Sequence, residues 1–416
     1  MTGRHRLLTA TAAVAATVVG ALGTGGAGSA AAQPEVAGRS CPALWVFGVQ
    51  GTSESSPGAS QTADAGMLGH LLGPIAADDP NLVARTYIQY PAAFGGAPGT
   101  GGGTDPYLVS VNAGIAALIA ASEQVAATCP DTSQAVVGYS QGAQVASFFA
   151  ELVGAGQGPV PAEKVAGVGL YSDPDRAPGS PVIAGRSGQV VPDPAPGTSG
   201  AAVSQVSLST ATASGGGIAT TSGADYGSLT GRVADICVEG DLSCSAPDNA
   251  ALLRVAAQLA AQADLRDPIA ALGSIGSLLS GALGDAWTTM VNNDFHVEPK
   301  VAYAPAASLA QRLIDAADPR TPPPSPDEHA AAAAHWAQIT TTVAANPLTQ
   351  LPALARGLSG AWGQLVTDNA DLINPAVWLR YNDIPGRHTG YAATGQLASG
   401  AAWMTALAHD LAGRHA

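Results

Sequence analysis

The sequence predicts an α/β fold in which a central parallel sheet carries helices on both faces. Short, apolar, β-branched runs alternate with segments whose apolar residues recur at helical spacing, in the order strand, helix, strand, helix, strand. The pentad Gly138-Tyr139-Ser140-Gln141-Gly142 is the second observation. It is a G-x-S-x-G pattern between a strand-like run and a helical pattern, which describes a sharp turn with Ser140 at its apex.

The elements of this core follow from apolar patterning. Strands are predicted at 43–49, 82–90, the run before Ser140, 165–171 and 232–238, and helices at 68–77, 107–129 and after the pentad. The glycine-rich segment 94–104 lacks the Gly-Lys-Ser/Thr ending of a phosphate-binding loop, so a surface loop is predicted there. Residues 177–231 are predicted as loops, with alternation around 203–208 that suits an edge hairpin.

The pattern becomes helical from residue 245 onward. Helices are predicted at 252–265, 269–291, 308–317, 328–345 and 351–367, with a proline-rich linker at 319–326. The uncharged stretch 268–284 is expected to be a core-packing helix pair rather than a membrane-contacting lid. A loop at 381–391 and a closing helix at 392–409 complete the chain.

The first 32 residues have the features of a secretory signal. Arg4 and Arg6 precede an apolar run at 7–22, and small residues end at Ala32. We therefore predict four segments: a signal peptide at 1–32, an α/β core at 33–244, a helical insertion at 245–380 and a return to the core at 381–416. The protein is expected to be exported, and attachment to a cell envelope is left open.

Net charge narrows the range of partners. The formal charge is −14, and 31 acidic residues stand against 17 Lys and Arg. Because nucleic-acid binding depends on basic surfaces, a nucleic-acid partner is excluded. The same balance predicts weak attraction to anionic lipid, so any lipid contact would have to be hydrophobic.

Four cysteines agree with export. An even set in an oxidising compartment predicts two disulfides, with three possible connectivities among Cys41, Cys129, Cys237 and Cys244. The C-x6-C spacing of the last two, without a neighbouring histidine, is poor for zinc, so no metal is predicted.

A serine nucleophile needs two helpers. A histidine must take the hydroxyl proton, and a carboxylate must fix and stabilise that histidine. In α/β hydrolases the order along the chain is Ser, Asp, His, and here Ser140 is followed by Asp241, just past a predicted strand, and by later histidines. The oxyanion that forms needs two donors, for which the amide of Gln141 and the amide or hydroxyl of Thr52 are candidates.

Four stretches together resemble the cutinases, secreted serine esterases of the α/β-hydrolase class. Cys41 and the strand ending Gly51-Thr52-Ser53-Glu54 are similar to the family's first cysteine and its oxyanion loop, although Gln50 stands where arginine is frequent. The block from Cys129 to Ala143 is similar to the family's C-P-x(n)-G-Y-S-Q-G-A pattern. The stretch from Cys237 to Cys244 is similar to the family's C-x3-D-x2-C pattern, which contains the aspartate. His388 to Ala392 resembles the H-x-x-Y-[GA] motif.

The resemblance implies roles for specific residues. The nucleophile would be Ser140, the acid Asp241 and the base His388, with Thr52 and Gln141 as oxyanion donors. It also implies the disulfides Cys41 with Cys129 and Cys237 with Cys244, and no cofactor or metal. Competing assignments are His296 as the base and Asp173 or Asp235 as the acid. The fold implied is the three-layer α/β-hydrolase sandwich with the helical insertion as a lid over the site.

We therefore expect a monomeric, secreted carboxylester hydrolase that acts on acyl, lipid or polyester esters through an acyl-serine intermediate. An alternative is an acyltransferase that passes a mycolyl or other acyl group to a sugar, or a phospholipase or thioesterase of the envelope. A third reading, from another class, is a non-catalytic envelope module.

Overall fold

A computed structural model describes residues 41–101, 103–209, 213–219, 224–298 and 300–414, so the predicted signal peptide lies outside the described residues. Its centre is a five-stranded sheet in the order β2-β1-β3-β4-β5, and every neighbouring pair of strands is parallel. The strands are β1 (Leu44–Val49), β2 (Val83–Tyr87), β3 (Ser133–Tyr139), β4 (Val165–Tyr171) and β5 (Val233–Ile236). The predicted parallel sheet is confirmed.

Both faces of the sheet are covered by helices. Along β1, Leu44 and Val46 belong to one core cluster and Trp45 and Phe47 to another, because successive strand residues point to opposite faces. The first cluster packs α1 (Gly66–Asp78) and the last helix, and the second packs α2 (Tyr107–Thr128) and α3 (Gln141–Gly154). The fold is thus the predicted three-layer sandwich.

The insertion is helical, as predicted. It contains α4 (Ala251–Gln262), α5 (Pro268–Asp294), α6 (Leu309–Ala317), α7 (Pro326–Ala345) and α8 (Pro347–Thr367), with a small antiparallel pair, β6 (Phe295–His296) and β7 (Ala302–Tyr303). Two apolar clusters of its own hold these helices together. Helix α9 (Pro375–Trp378) is the last helix of the insertion, and the chain returns to the core through α10 (Ile384–Thr389) and α11 (Gln396–Ala412).

Three local predictions were wrong. The loops predicted at 177–231 are confirmed in the described residues, but the edge hairpin at 203–208 is not: Val203–Gln205 form a 3-10 turn, and the Asp410 carboxylate accepts hydrogen bonds from the amides of Ala202 and Val203. His388 lies in α10 rather than in a loop, since Asp383 caps that short helix through the Gly386 amide. The stretch 268–284 is the first part of the single helix α5. It is largely exposed and does not form a core-packing pair of helices.

The two disulfides have the connectivity that the resemblance implies. Cys41 bonds to Cys129 and so ties the approach to β1 to the end of α2. Cys237 bonds to Cys244 and closes the short loop after β5 that contains Asp241. Each bond restricts the unfolded chain, and the second also holds the loop that carries the carboxylate.

Candidate active site

Ser140 occupies a strained turn between β3 and α3. Its backbone has φ 53° and ψ −120°, a region that L-residues other than glycine rarely adopt. The strain is held in place by its amide, which donates to the carbonyl of Tyr171 on the next strand at 2.8 Å, and by its carbonyl, which accepts from Ala143. The hydroxyl therefore projects at the carboxyl end of the sheet, where parallel-sheet enzymes collect functional groups.

The two glycines of the pentad are required by close backbone contacts. A Cβ atom on Gly142 would lie 2.0 Å from the carbonyl oxygen of Val49, and one on Gly138 would lie 2.3 Å from the carbonyl oxygen of Gly142. Both obstacles are backbone atoms, which cannot rotate away. Helix α3 can therefore begin directly beside the end of β1 only because these positions lack side chains.

Asp241, which is buried, forms a hydrogen-bonded pair with His388, whose side chain is partly exposed. His388 Nδ1 lies 2.9 Å from Asp241 Oδ1, and the Asp241 side chain also accepts from the Tyr391 hydroxyl at 2.7 Å and the Ser243 amide at 3.1 Å. Since an ionised carboxylate only accepts, Nδ1 must carry the proton. The lone pair of His388 is then on Nε2, the nitrogen that a general base uses.

The surroundings of the pair shift its pKa values in opposite directions. Burial works against the charged Asp241, but the hydrogen bond and charge of His388 outweigh it, helped by Ser172 and Tyr391, so the pKa of Asp241 lies below its usual value. Burial also disfavours a charged His388, yet the hydrogen bond and charge of Asp241 raise its pKa above the usual value, with a further contribution from Glu54. The pair is thus arranged to keep a carboxylate beside an easily protonated imidazole.

Tyr139 connects the imidazole to the serine turn. Its hydroxyl donates to the backbone carbonyl of His388 at 2.8 Å, and the two rings lie 5.3 Å apart between centroids. Tyr139 immediately precedes Ser140, so His388 is held beside the serine turn. Among the hydrogen bonds of the described residues there is none between Ser140 and His388, and such catalytic bonds commonly form only once substrate is bound.

The oxyanion candidates lie on two ordered backbones. The loop of Thr52 is fixed on either side: Gly51 donates to the Glu54 carboxylate at 3.1 Å, and Ser53 donates to the carbonyl of Ala92 at 2.8 Å. In the described hydrogen-bond network the amides of Thr52 and Gln141 donate to no backbone carbonyl. The amide of Gln141 is also the first of α3, where the helix dipole favours negative charge.

Gln141 has a second task that its motif does not reveal. Its side-chain amide donates to the carbonyl of Ala93 at 2.9 Å, and its side-chain oxygen accepts from Ser110 at 3.1 Å. The residue before Ala93 is Ala92, whose carbonyl accepts the hydrogen bond from the Ser53 amide. One residue therefore supplies a free backbone amide while its side chain braces the segment that supports the Thr52 loop.

Glu54 and Gln50 hold the Thr52 loop in place through hydrogen bonds to its backbone and to the start of α1. Glu54 accepts from the amides of Gly51 and Met67, and burial nevertheless raises its pKa. Gln50, at the position where the resemblance leads one to expect arginine, donates to Ala65 and accepts from Leu68 at the start of α1. The amide side chain thus anchors the oxyanion loop to α1 without introducing a charge.

These motifs identify a family. A family model described as Cutinase matches residues 40–255, more than half of the chain. The chain belongs to the cutinase family. The match contains the serine turn, the Thr52 loop, the disulfide cysteines and Asp241.

Individual relatives cover smaller parts. The chain is 35% identical to a carboxylesterase Culp6 homolog of Corynebacterium glutamicum over 126 residues, 29% of this chain and 38% of that protein. It is 39% identical to acetylxylan esterase 2 of Talaromyces purpureogenus over 108 residues, 26% of this chain and 41% of that protein. It thus spans less than half the length of each curated relative.

Solved structures with a related fold include the catalytic core domain of acetyl xylan esterase from Trichoderma reesei. That match has 24% identity and a TM-score of 0.36, and covers 57% of this chain and 99% of that chain. Lysin B from Mycobacteriophage D29 matches with 21% identity and a TM-score of 0.34 over 72% of this chain and 90% of that one.

The rival residues lie elsewhere in this cutinase-family chain. His296 is an exposed residue of the β6–β7 hairpin in the insertion. Asp173 and Asp235 are buried, and in the described residues neither bonds to a histidine; Asp173 accepts from the amide of Asp175. The imidazole that bonds Asp241 is that of His388.

Ser172 is a neighbour of the pair that sequence reasoning missed. Its Oγ lies 3.0 Å from His388 Nδ1, and it directly follows β4 as Ser140 follows β3. The sequence signal that could have indicated Ser172 is its position directly after a predicted strand, at the carboxyl end of the parallel sheet. No spacing rule distinguishes this serine from the many others in the chain.

A cavity in the insertion is separate from these residues. It has a volume of about 620 Å³ and lies between α4, α5, α6 and the proline-rich segment, with Leu259, Leu278 and Pro322 among its walls. Ser140, Asp241 and His388 do not line it. It therefore does not form part of the candidate active site.

The contact between α3 and β1 gives a stability prediction. Gly142→Ala should destabilise the fold by about 3 kcal/mol or more, because the added Cβ meets a backbone carbonyl that cannot move. Gly284→Ala is the matched control, since nothing lies within 4 Å of its added Cβ on helix α5, and it should stabilise by about 0.5 to 1 kcal/mol. Chemical denaturation of both variants measures the difference. Equal stability of the two would contradict the close contact.

Proposed function

We propose that this chain is a secreted carboxylester hydrolase that forms an acyl intermediate on Ser140. The observation that carries the proposal is the hydrogen-bonded pair of Asp241 and His388, held by Tyr139 at the end of the strand that directly precedes Ser140. Family membership supports the same chemistry, because the two curated relatives are a carboxylesterase homolog and an acetylxylan esterase by name.

The reaction would begin with proton transfer. His388 Nε2 takes the proton of the Ser140 hydroxyl as the oxygen attacks the ester carbonyl, while Asp241 holds Nδ1–H and stabilises the imidazolium. The tetrahedral oxyanion would be bound by the amide of Gln141 and by Thr52. His388 then protonates the departing alcohol, and water, activated in the same way, releases the acid from the acyl-serine.

The insertion is proposed to form one side of the substrate approach. Leu265, between α4 and α5, donates its amide to the carbonyl of Gly95 at 2.7 Å, in the glycine-rich loop next to the oxyanion loop. The other end of the insertion lies against the Asp241 loop, since a Cβ atom on Gly240 would lie 2.3 Å from the carbonyl oxygen of Arg380.

The boundaries proposed are a core at 33–244, the insertion at 245–380 and a return at 381–416. Two disulfides and the predicted signal peptide support export.

Loss of the nucleophile tests the proposal directly. Ser140→Ala should lower kcat/KM for p-nitrophenyl butyrate by about four to six orders of magnitude, because it removes the hydroxyl on which the proposed acyl intermediate forms. Ser280→Ala, an exposed position on α5, should leave the rate unchanged. A fluorophosphonate probe should label the wild type and the control but not Ser140→Ala. Equal hydrolysis by all three proteins would refute the proposed nucleophile.

The pKa of His388 sets the pH dependence. A general base must be neutral, and the pKa of His388 is raised, so kcat/KM should fall on the acid side with a midpoint above the ordinary histidine value of about 6.5. Asp241→Asn removes the main group that raises this pKa, while burial still lowers it. The residual activity, about 10⁴-fold weaker, should therefore have its midpoint at lower pH. An unchanged midpoint would argue against coupling between the two side chains.

A further inference from the structure

Helix α5 carries an apolar stripe that the rest of the described chain leaves largely exposed, although Trp287 at its end packs edge-to-face against Trp336 of α7. Ile269, Leu272, Leu279, Leu283 and Trp287 follow one another at intervals of three, four or seven residues and so share one face of the helix. They are 84%, 77%, 39%, 50% and 42% exposed. A soluble protein rarely leaves such a row of large side chains in water unless the row binds something.

The stripe begins near the proposed active site. Leu265 and Arg266, just before α5, contact the glycine-rich loop at Gly95 and Gly96. A Cβ on Gly101 of that loop would lie 3.4 Å from Ser53 of the oxyanion loop. The most exposed residues of the stripe, Ile269 and Leu272, are therefore linked to the site through one short loop.

The charges around the stripe restrict what can bind there. Helix α5 contains no Lys or Arg, and its only charged residues are Asp285 and Asp294. Asp294 is buried and paired with Arg312, and Arg266 before the helix is paired with Asp264. With a formal charge of −14 on the whole chain, nothing on this helix attracts an anionic surface.

We propose that the α5 stripe docks onto the surface of an uncharged or zwitterionic lipid assembly. A convex helix face with aliphatic side chains and no cation suits a soft apolar layer into which single side chains can insert. Helix α8 supports this choice. It exposes a second row, Leu348, Leu351, Leu358, Trp362 and Val366, and carries only Arg356 as a charge. A deformable lipid layer can accept several convex helices without matching their shape.

Vesicle sedimentation tests this inference independently of the proposed function. In a Ser140→Ala background, which removes turnover, the protein should bind phosphatidylcholine vesicles, and adding phosphatidylserine should not strengthen binding. The triple change Ile269→Gln, Leu272→Gln and Leu283→Gln should weaken partitioning at least about tenfold, because three exposed aliphatic side chains no longer leave water. Gly281→Gln is the control: it lies on the other side of the same helix, where an added Cβ meets nothing within 4 Å, and it should bind as before. With Ser140 present, the triple variant should hydrolyse soluble p-nitrophenyl acetate at the wild-type rate.

Three results would overturn it. The first is no binding to phosphatidylcholine by the parent protein, and the second is equal binding by the parent and the triple variant. The third is self-association in analytical ultracentrifugation that the triple change abolishes while vesicle binding is absent. That result would assign the stripe to a second copy of the chain.

A separate observation concerns Ser172. Its φ is 59°, a left-handed value that favours glycine, and it is fully buried, so the serine is retained at an energetic cost. Its Oγ accepts from His388 Nδ1 at 3.0 Å, next to the stronger acceptor Asp241. Its own backbone is fixed by bonds to Ile236 and from Ser243.

We infer that Ser172 is a positioning residue for His388, an inference that rests on the proposed function. With two acceptors on Nδ1–H, the ring keeps one tautomer and one orientation, and Nε2 stays directed toward the serine turn. The groups that face His388 are Asp241, Glu54, Tyr139 and Ser172. Of these, only Ser172 adds an uncharged acceptor at Nδ1.

Two substitutions separate positioning from backbone strain. Ser172→Gly removes the hydroxyl and relieves the backbone strain. Ser172→Ala also removes the hydroxyl but leaves the backbone strain in place. The glycine variant should therefore melt about 1 to 3 °C higher than the alanine variant. Both should lose about 10- to 100-fold in kcat with KM unchanged. Wild-type kcat in Ser172→Gly would overturn the inference. Inactive wild type would instead count against the proposed function.

Discussion

The contact between the start of α3 and the end of β1 is the constraint on which the rest of the site depends. With Gly142 against the carbonyl of Val49, only Ser140 separates the end of β3 from the start of α3, and Ser140 takes a positive φ to make the turn. That turn exposes the hydroxyl and leaves the first helical amide, that of Gln141, free beside it. The proposed nucleophile and one proposed oxyanion donor thus depend on a single close approach, and a side chain at Gly142 would disturb the geometry of both.

A buried carboxylate is the second requirement, and its neighbours explain how the fold tolerates it. Asp241 is fully buried, yet its pKa is lowered, because the hydrogen bond and charge of His388, together with the hydrogen bonds of Ser172 and Tyr391, outweigh the burial that would raise it. The Cys237–Cys244 disulfide holds the short loop in which these bonds form. Burying a charge without such donors would cost several kcal/mol. The network therefore serves stability and the proposed chemistry at once.

Sequence reasoning was most successful where a local rule was strict. The serine turn, the parallel strands and the helices of the core follow from motif spacing and apolar periodicity, and the sheet confirms them. It failed where contacts between residues far apart in the sequence determine the local structure. The amides of Ala202 and Val203 are taken by Asp410, more than 200 residues away, and a pattern that alternates like a strand becomes a turn. Ser172 was missed for the same reason, since its importance lies in a contact with His388, 216 positions later.

The same long-range logic explains how Asp241 and His388 can pair although they are 147 positions apart. The two ends of the proposed insertion lie side by side. The Tyr381 hydroxyl donates to the carbonyl of Ser245 at 2.6 Å, and the amide of Asp371 donates to the carbonyl of Asn249 at 3.0 Å. Because the ends of the insertion are bonded together, its length costs only the slowly growing entropy of loop closure. The core behaves as if Asp241 and His388 were close in sequence, and the helices between them are free to carry a surface, such as the α5 stripe, that the core itself could not expose.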